Sequence, residues 1–112
     1  MRNWIVGCAT GALLLAGMML APGLKAQEKG DAAKGKMVFE QCSGCHATDT
    51  DDVIVGPSLK GLFKRKMLKD GKPVNEANVL DMINMGGGGM PPFADSLSAA
   101  DKANVIAYLK TL

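Results

Sequence analysis

The chain has 112 residues, which is enough for one domain and little else. Its 13 lysine and arginine residues slightly exceed its 11 aspartate and glutamate residues, so the formal net charge is +2. Arg2 and Lys25 account for that excess, and the residues after Ala26 carry 11 basic and 11 acidic side chains. This balance excludes a strongly basic surface, and we expect no nucleic-acid partner.

The N-terminal segment has the layout of a secretory signal peptide. A positive start at Arg2 is followed by an uncharged, almost wholly apolar run over 4–21. Pro22-Gly23 then breaks any helix, and Ala26 offers a small residue for cleavage. We therefore predict that residues 1–26 are a signal peptide, cleaved after Ala26.

An uncleaved membrane anchor is the alternative, since residues 4–24 approach the roughly 20 residues needed to cross a bilayer. The polar residues that follow favour cleavage. The predicted domain is then 27–112, with 86 residues, two cysteines and no tryptophan. A domain this small usually needs a covalent staple or a cofactor to complete its core.

Three segments of this domain have helical patterns. Asp31 is a candidate N-cap for the first helix, and Ser98 with Asp101 resembles a capping box at the start of the third. The second is marked by apolar spacing alone. The predicted helices cover about 31–42, 75–85 and 98–112.

Long irregular connections separate the helices, over 47–74 and 86–97. Loops of this length are uncommon in a compact domain unless they have a function. The second contains four consecutive glycines, then Met90 and two prolines, so a free backbone is followed by a fixed one. No convincing strand pattern is present, and the fold class is predicted to be all-α, with loops wrapped around a bound group.

The segment Cys42-Ser43-Gly44-Cys45-His46 is the C-x-x-C-H pattern of covalent haem attachment. Two thiols at this spacing reach the two vinyl groups at one edge of the porphyrin, and the histidine lies beneath the iron. A thioredoxin-like redox pair would need a βαβ pattern, which is not visible. Structural zinc needs four ligands, and a plain disulfide leaves His46 unexplained. We therefore predict one haem c, bound through Cys42 and Cys45.

Further motifs extend the similarity beyond the attachment site. They are G-P-S-L-K-G-L-F at 56–63, G-M-P-P-F at 89–93 and V-I-A-Y-L-K at 105–110. With C-S-G-C-H, their order and spacing resemble a small class I cytochrome c over about 31–112. The resemblance implies the cytochrome c fold, with three main helices and long loops around one covalently bound haem.

The same resemblance implies how the first and last helices meet. Gly35 and Phe39 match the family's contact with the last helix, through Tyr108 and Leu109. The sequence departs from longer family members in having no tryptophan near a haem propionate, so the resemblance does not identify the propionate-binding residues.

A histidine on one face leaves the iron with one open axial position. No second histidine follows residue 26, so the soft thioether of methionine is the natural ligand. Met90 lies on the glycine-to-proline loop, where the resemblance places the family's distal methionine. We predict His46 and Met90 as the iron ligands, with Met85 in reserve; Met90 as a core filler is the alternative.

The resemblance also implies residues around the haem. In the family, a proline carbonyl accepts a hydrogen bond from the proximal histidine, and Pro57 matches that position. Leu59, Leu62 and Phe93 would pack against the porphyrin. The alternative is that they are ordinary core residues, and both interpretations place them in the same positions because the haem forms the core.

These expectations define a periplasmic electron carrier, not an enzyme, that cycles one haem between Fe(II) and Fe(III). The alternatives are a haem subunit of an oxidoreductase complex, or a gas-binding or peroxidatic protein if Met90 dissociates easily. Expected partners are a redox-protein donor and acceptor, such as a cytochrome reductase, dehydrogenase or terminal oxidase. We expect a monomer, with membrane contact only if residues 4–24 remain as an anchor.

Overall fold

The computed structural model describes residues 29–112, so the predicted signal peptide lies outside the described residues. Within this range the chain forms three α-helices and one short 3-10 helix, joined by irregular segments. The elements are α1 (Ala32–Phe39), the 3-10 helix (Leu62–Lys64), α2 (Glu76–Met85) and α3 (Ala99–Leu109). None of the helices in this range is long and apolar enough to cross a membrane.

The first helix begins where its N-cap predicts and ends earlier than expected. The Asp31 carboxylate accepts hydrogen bonds from Ala33 N at 2.9 Å and Lys34 N at 3.1 Å. The prediction of a helix to about Cys42 was wrong by three residues, because α1 ends at Phe39. The chain continues in turns, in which Cys42 N donates to the Phe39 carbonyl oxygen at 2.7 Å. These turns carry the attachment motif.

The second helix matches its predicted bounds, and the third begins where predicted but ends at Leu109, three residues before the predicted Leu112. Asn75 caps α2 by accepting a hydrogen bond from Asn78 N at 2.8 Å. At the start of α3, Ser98 Oγ accepts from Asp101 N at 3.0 Å, and the Asp101 carboxylate accepts from Ser98 N at 3.2 Å. This reciprocal pair is the predicted capping box, which satisfies two otherwise unpaired backbone donors.

The predicted contact between α1 and α3 is present. The Phe39 and Tyr108 rings lie with centroids 5.4 Å apart at an interplanar angle of 54°. A Cβ atom on Gly35 would overlap the backbone carbonyl oxygen of Asn104, so only glycine permits this approach. Asp31 N also donates to the Asn104 side-chain oxygen at 2.8 Å, which fixes the start of α1 against α3.

The apolar core is a shell contributed by all the helices and by the loop after α2. No large side chain in the described part of the chain is completely enclosed. Its best-covered members are Val79, Val105 and Leu109, each 4% exposed. The buried apolar residues are Phe39, Leu62, Val79, Ile83, Leu97, Val105, Ile106 and Leu109.

We expect the Gly35→Ala substitution to lower the free energy of unfolding of the holoprotein by about 1–3 kcal/mol, because the methyl group overpacks the α1–α3 contact. This loss outweighs the ~1 kcal/mol gained by replacing a helical glycine. Guanidinium titration followed by circular dichroism measures the change. Gly44→Ala is the matched control, since nothing lies within 4 Å of a Cβ atom there. Equal losses in both variants would contradict the close crossing.

Candidate functional site

The attachment motif lies in the turns after α1, and a second segment of the chain runs beside it. His46 N donates to the Cys42 carbonyl oxygen at 3.0 Å, which closes the turn around the two cysteines. Cys42 is half-buried and Cys45 is exposed, and the two do not form a disulfide with each other. Gly56 N donates to the Cys45 carbonyl oxygen at 2.8 Å, so the segment that contains Pro57 lies directly against the motif.

The imidazole of His46 is oriented by a backbone carbonyl. His46 Nδ1 lies 2.7 Å from the Pro57 carbonyl oxygen, which is the contact that the sequence predicted. A carbonyl oxygen only accepts, so Nδ1 carries the proton and Nε2 has a free lone pair. The described residues provide no hydrogen-bond partner for Nε2. This nitrogen is therefore available to bind a metal.

Gly56 is a site residue that the sequence reasoning missed. A Cβ atom at this position would lie 2.9 Å from His46 Nδ1 and 3.0 Å from Nε2, and closer still to Cε1. The Cε1 corner of the imidazole ring therefore packs directly against Gly56 and leaves no space for a side chain there. The signal was present in the sequence, as a glycine directly before Pro57 in the G-P-S-L run.

Burial raises the pKa of the Cys42 thiol above its ordinary value, and the negative charge that Cys45 can carry adds to the rise. Cys42 is therefore protonated at neutral pH in the haem-free chain. A protonated Cys42 would supply both the sulfur and the hydrogen that addition to a vinyl group of the haem would require.

The loop after α2 holds Met90 in a tight turn. Gly87 N donates to the Met90 carbonyl oxygen at 2.9 Å, and Met90 N donates back to Gly87 at 3.1 Å. All four glycines before Met90 have positive φ angles, between 61° and 126°, which other residues rarely adopt. Phe93 N donates to the Ile83 carbonyl oxygen at 2.9 Å, which ties the end of the loop to α2. Met90 is half-buried.

Exposure separates the methionine candidates. Met85, the reserve ligand, is 76% exposed, and Met37 and Met67 are also exposed. Met82 is half-buried like Met90, but it lies within α2. Burial and loop geometry together thus favour Met90.

The remaining predicted residues lie around the core. Leu62 is buried, and Leu59 and Phe93 are half-buried and pack against the same apolar cluster. Leu59 N also donates to the Ala47 carbonyl oxygen at 2.8 Å. The cysteine–histidine segment and the Met90 loop thus meet through the core, without a direct hydrogen bond between them among residues 29–112.

The described residues do not provide a ligand set for structural zinc. Within residues 29–112, no three histidine, cysteine, aspartate or glutamate side chains come together in a way that could hold a metal ion.

The geometry agrees with comparisons to known proteins. Residues 30–109 match the family described as "Cytochrome C oxidase, cbb3-type, subunit III". Cytochrome c6 of Picosynechococcus sp. is 40% identical over 83 residues, covering 70% of this chain and 71% of that protein. Cytochrome c2 iso-1 of Magnetospirillum molischianum is 32% identical over 92 residues, covering 66% of this chain and 92% of that protein. The solved structure of cytochrome c6 from the diatom Phaeodactylum tricornutum superposes with a TM-score of 0.59 at 25% identity, covering 73% of this chain and 93% of that one.

The chain belongs to the class I c-type cytochromes. It carries one covalently bound haem c and transfers electrons, and it is not an enzyme. The predicted family, all-α fold class and cofactor are confirmed. The described residues fit the haem, since Cys42 and Cys45 have the attachment spacing and Nε2 of His46 has no hydrogen-bond partner among residues 29–112.

We expect Gly56→Ala to lower the free energy of unfolding of the holoprotein by about 1–3 kcal/mol, because the methyl group pushes the imidazole off its carbonyl partner. The resonance of the His46 Nδ1 proton in the proton NMR spectrum of the ferrous protein should shift. Pro57→Ala is the control, since it keeps the carbonyl oxygen and should leave that resonance in place. An unmoved resonance in Gly56→Ala would show that the glycine does not position the ring.

Proposed function

We propose that the protein is a periplasmic one-electron carrier whose haem iron is held between His46 and Met90. The observation that carries this proposal is the His46 imidazole, with Nδ1 fixed by Pro57 and Nε2 free. When bound, the haem supplies an iron that cycles between Fe(II) and Fe(III). Two filled axial positions leave no site for a substrate, which suits electron transfer without bond chemistry.

Each predicted residue then has a defined task. Cys42 and Cys45 hold the porphyrin through thioethers, which do not dissociate. The Pro57 carbonyl oxygen keeps the histidine ring in one orientation and increases its basicity as a ligand. The thioether of Met90 is a soft ligand that favours Fe(II) and raises the potential. Leu59, Leu62 and Phe93 exclude water from the porphyrin faces, which also disfavours the extra charge of Fe(III).

Two sequence features support the proposed periplasmic location of the protein. The first 26 residues have the signal-peptide pattern, and C-x-x-C-H haem is attached outside the cytoplasm in bacteria. A partner that delivers or accepts the electron is then another redox protein of the same compartment. Such encounters are usually small and transient.

We expect Met90→Ala to abolish the weak absorption band near ~695 nm that reports methionine–iron ligation in the ferric protein. The midpoint potential should fall by more than about 59 mV, the equivalent of a tenfold change for one electron. Visible spectroscopy and a redox titration measure both effects. Met85→Ala is the matched control and should change neither, because this side chain is 76% exposed.

Two results would contradict the ligand assignment or the carrier function. An unchanged spectrum and potential in Met90→Ala would remove Met90 from the iron. Rapid carbon monoxide binding by the unmodified ferrous protein would show that the sixth ligand is labile, as a gas-binding or peroxidatic protein requires.

A haem subunit of an oxidase complex is the second candidate, because the matching family description names an oxidase subunit. Gel filtration of the protein from membrane and soluble fractions of its native cells distinguishes the two. A free carrier elutes near the size of the 27–112 domain, and we expect this result. Co-elution with a large membrane complex after detergent extraction would favour the subunit.

A further inference from the structure

An exposed run of apolar residues lies beside the attachment site. Val53, Ile54 and Val55 are consecutive, and they are exposed at 66%, 54% and 72%. Single exposed apolar residues are ordinary, but three consecutive ones are less so, and exposed apolar patches are found at interaction sites. We call these three residues the apolar strip. The strip is anchored, because the next residue, Gly56, donates its N–H to the Cys45 carbonyl oxygen.

A cavity of about 420 Å³ opens next to the apolar strip, and Ile54 of the strip also lines the cavity. Tyr108, His46 and the buried Phe39 are among the residues that line it. The volume lies in the range of protein cavities that accept a small ligand, and it is large enough for one long side chain of a partner. An occupant of this cavity would thus lie against the ring that binds the iron in the proposed function.

The charges that line the cavity are mostly negative. Glu40, Asp49 and Asp52 contribute carboxylates, and Lys36 contributes the single cation. Among residues 29–112 the only ion pair lies elsewhere, at the start of α2, so no salt bridge neutralises these three carboxylates. Aromatic rings and carboxylates are the groups that bind a guanidinium or an ammonium. The cavity therefore suits a cation and repels an anion.

We propose that the apolar strip and this cavity form the docking surface for a redox partner that presents a lysine or arginine side chain from an apolar patch. This inference rests on the proposed function. The cationic side chain enters the cavity, where the carboxylates and Tyr108 hold it, while the apolar patch covers the strip. An arginine in a pocket surrounded by apolar contacts is a common centre of binding energy. The partner's cationic side chain then lies next to His46.

The test measures one-electron oxidation of the ferrous holoprotein by tris(phenanthroline)cobalt(III), a cation with apolar edges. One electron passes from Fe(II) to Co(III), giving Fe(III) and Co(II), and no atom is transferred. The double substitution D49N/D52N removes two carboxylates and keeps their shape, including the acceptor for the Thr50 hydroxyl on Asp52. We expect it to slow oxidation by about 3–10-fold at low ionic strength and to have little effect in ~1 M salt.

Two controls separate local from general effects. D81N/D95N makes the same change in net charge at exposed positions away from the cavity, and it should slow oxidation less than about 2-fold. Hexacyanoferrate(III) is an anionic oxidant, and D49N/D52N should make its reaction faster. Replacing Val53 and Val55 by serine should slow the cobalt reaction at high salt as well, because the apolar contact is not screened.

Three outcomes would overturn the docking surface. The first is equal slowing by D49N/D52N and D81N/D95N, which would show a response to net charge alone. The second is a cobalt rate unaffected by the cavity and strip substitutions in protein that keeps its ~695 nm band and reversible potential; the carrier function would then stand without this surface. The third is that the unmodified protein dimerises in sedimentation experiments and D49N/D52N abolishes the dimer. The occupant of the cavity would then be a second copy of this chain. If the unmodified protein lacks the band, the proposed function fails first.

Discussion

The hydrogen bond between the His46 imidazole and the Pro57 carbonyl oxygen is the contact on which the site depends. It fixes the proton on Nδ1, so the lone pair of Nε2 is available to the iron. Gly56 makes the bond possible, because its missing side chain lets the ring lie on the backbone. The Gly56 N–H binds the Cys45 carbonyl oxygen in turn, so one short segment orients the ligand and holds the attachment turn.

The core explains why this chain needs a covalent cofactor. Three short helices bring apolar faces together, but no large side chain in the described range is fully enclosed. A domain of this size buries little apolar surface by itself, and a porphyrin supplies the missing area at the centre. Because thioethers persist in the unfolded chain, the haem acts as an additional apolar side chain. Stability then does not depend on a free haem concentration, unlike that of a protein with a dissociable ligand.

The sequence predicted the features that are determined locally. The caps at Asp31 and Ser98 depend on residues within one turn, and both are present. The early end of α1 and the 3-10 helix at Leu62–Lys64 were missed, because packing against other segments decides them. The role of Gly56 was missed for the same reason, since the ring that excludes a side chain there is ten residues away. The contact between Pro57 and His46 was predicted from the motif resemblance and not from the spacing of apolar residues.

The distribution of charge matters more than its sum in this protein. The side chains after residue 26 are formally balanced, so they give no net long-range attraction to a partner of either sign. Residues 60–72 carry six basic side chains and one acidic one, while the cavity behind His46 is lined by three carboxylates and one lysine. Electrostatic forces are screened over about 8 Å at physiological salt, which is short compared with the width of such a domain. A partner at the cavity therefore responds mainly to the local carboxylates and little to the net charge of the domain.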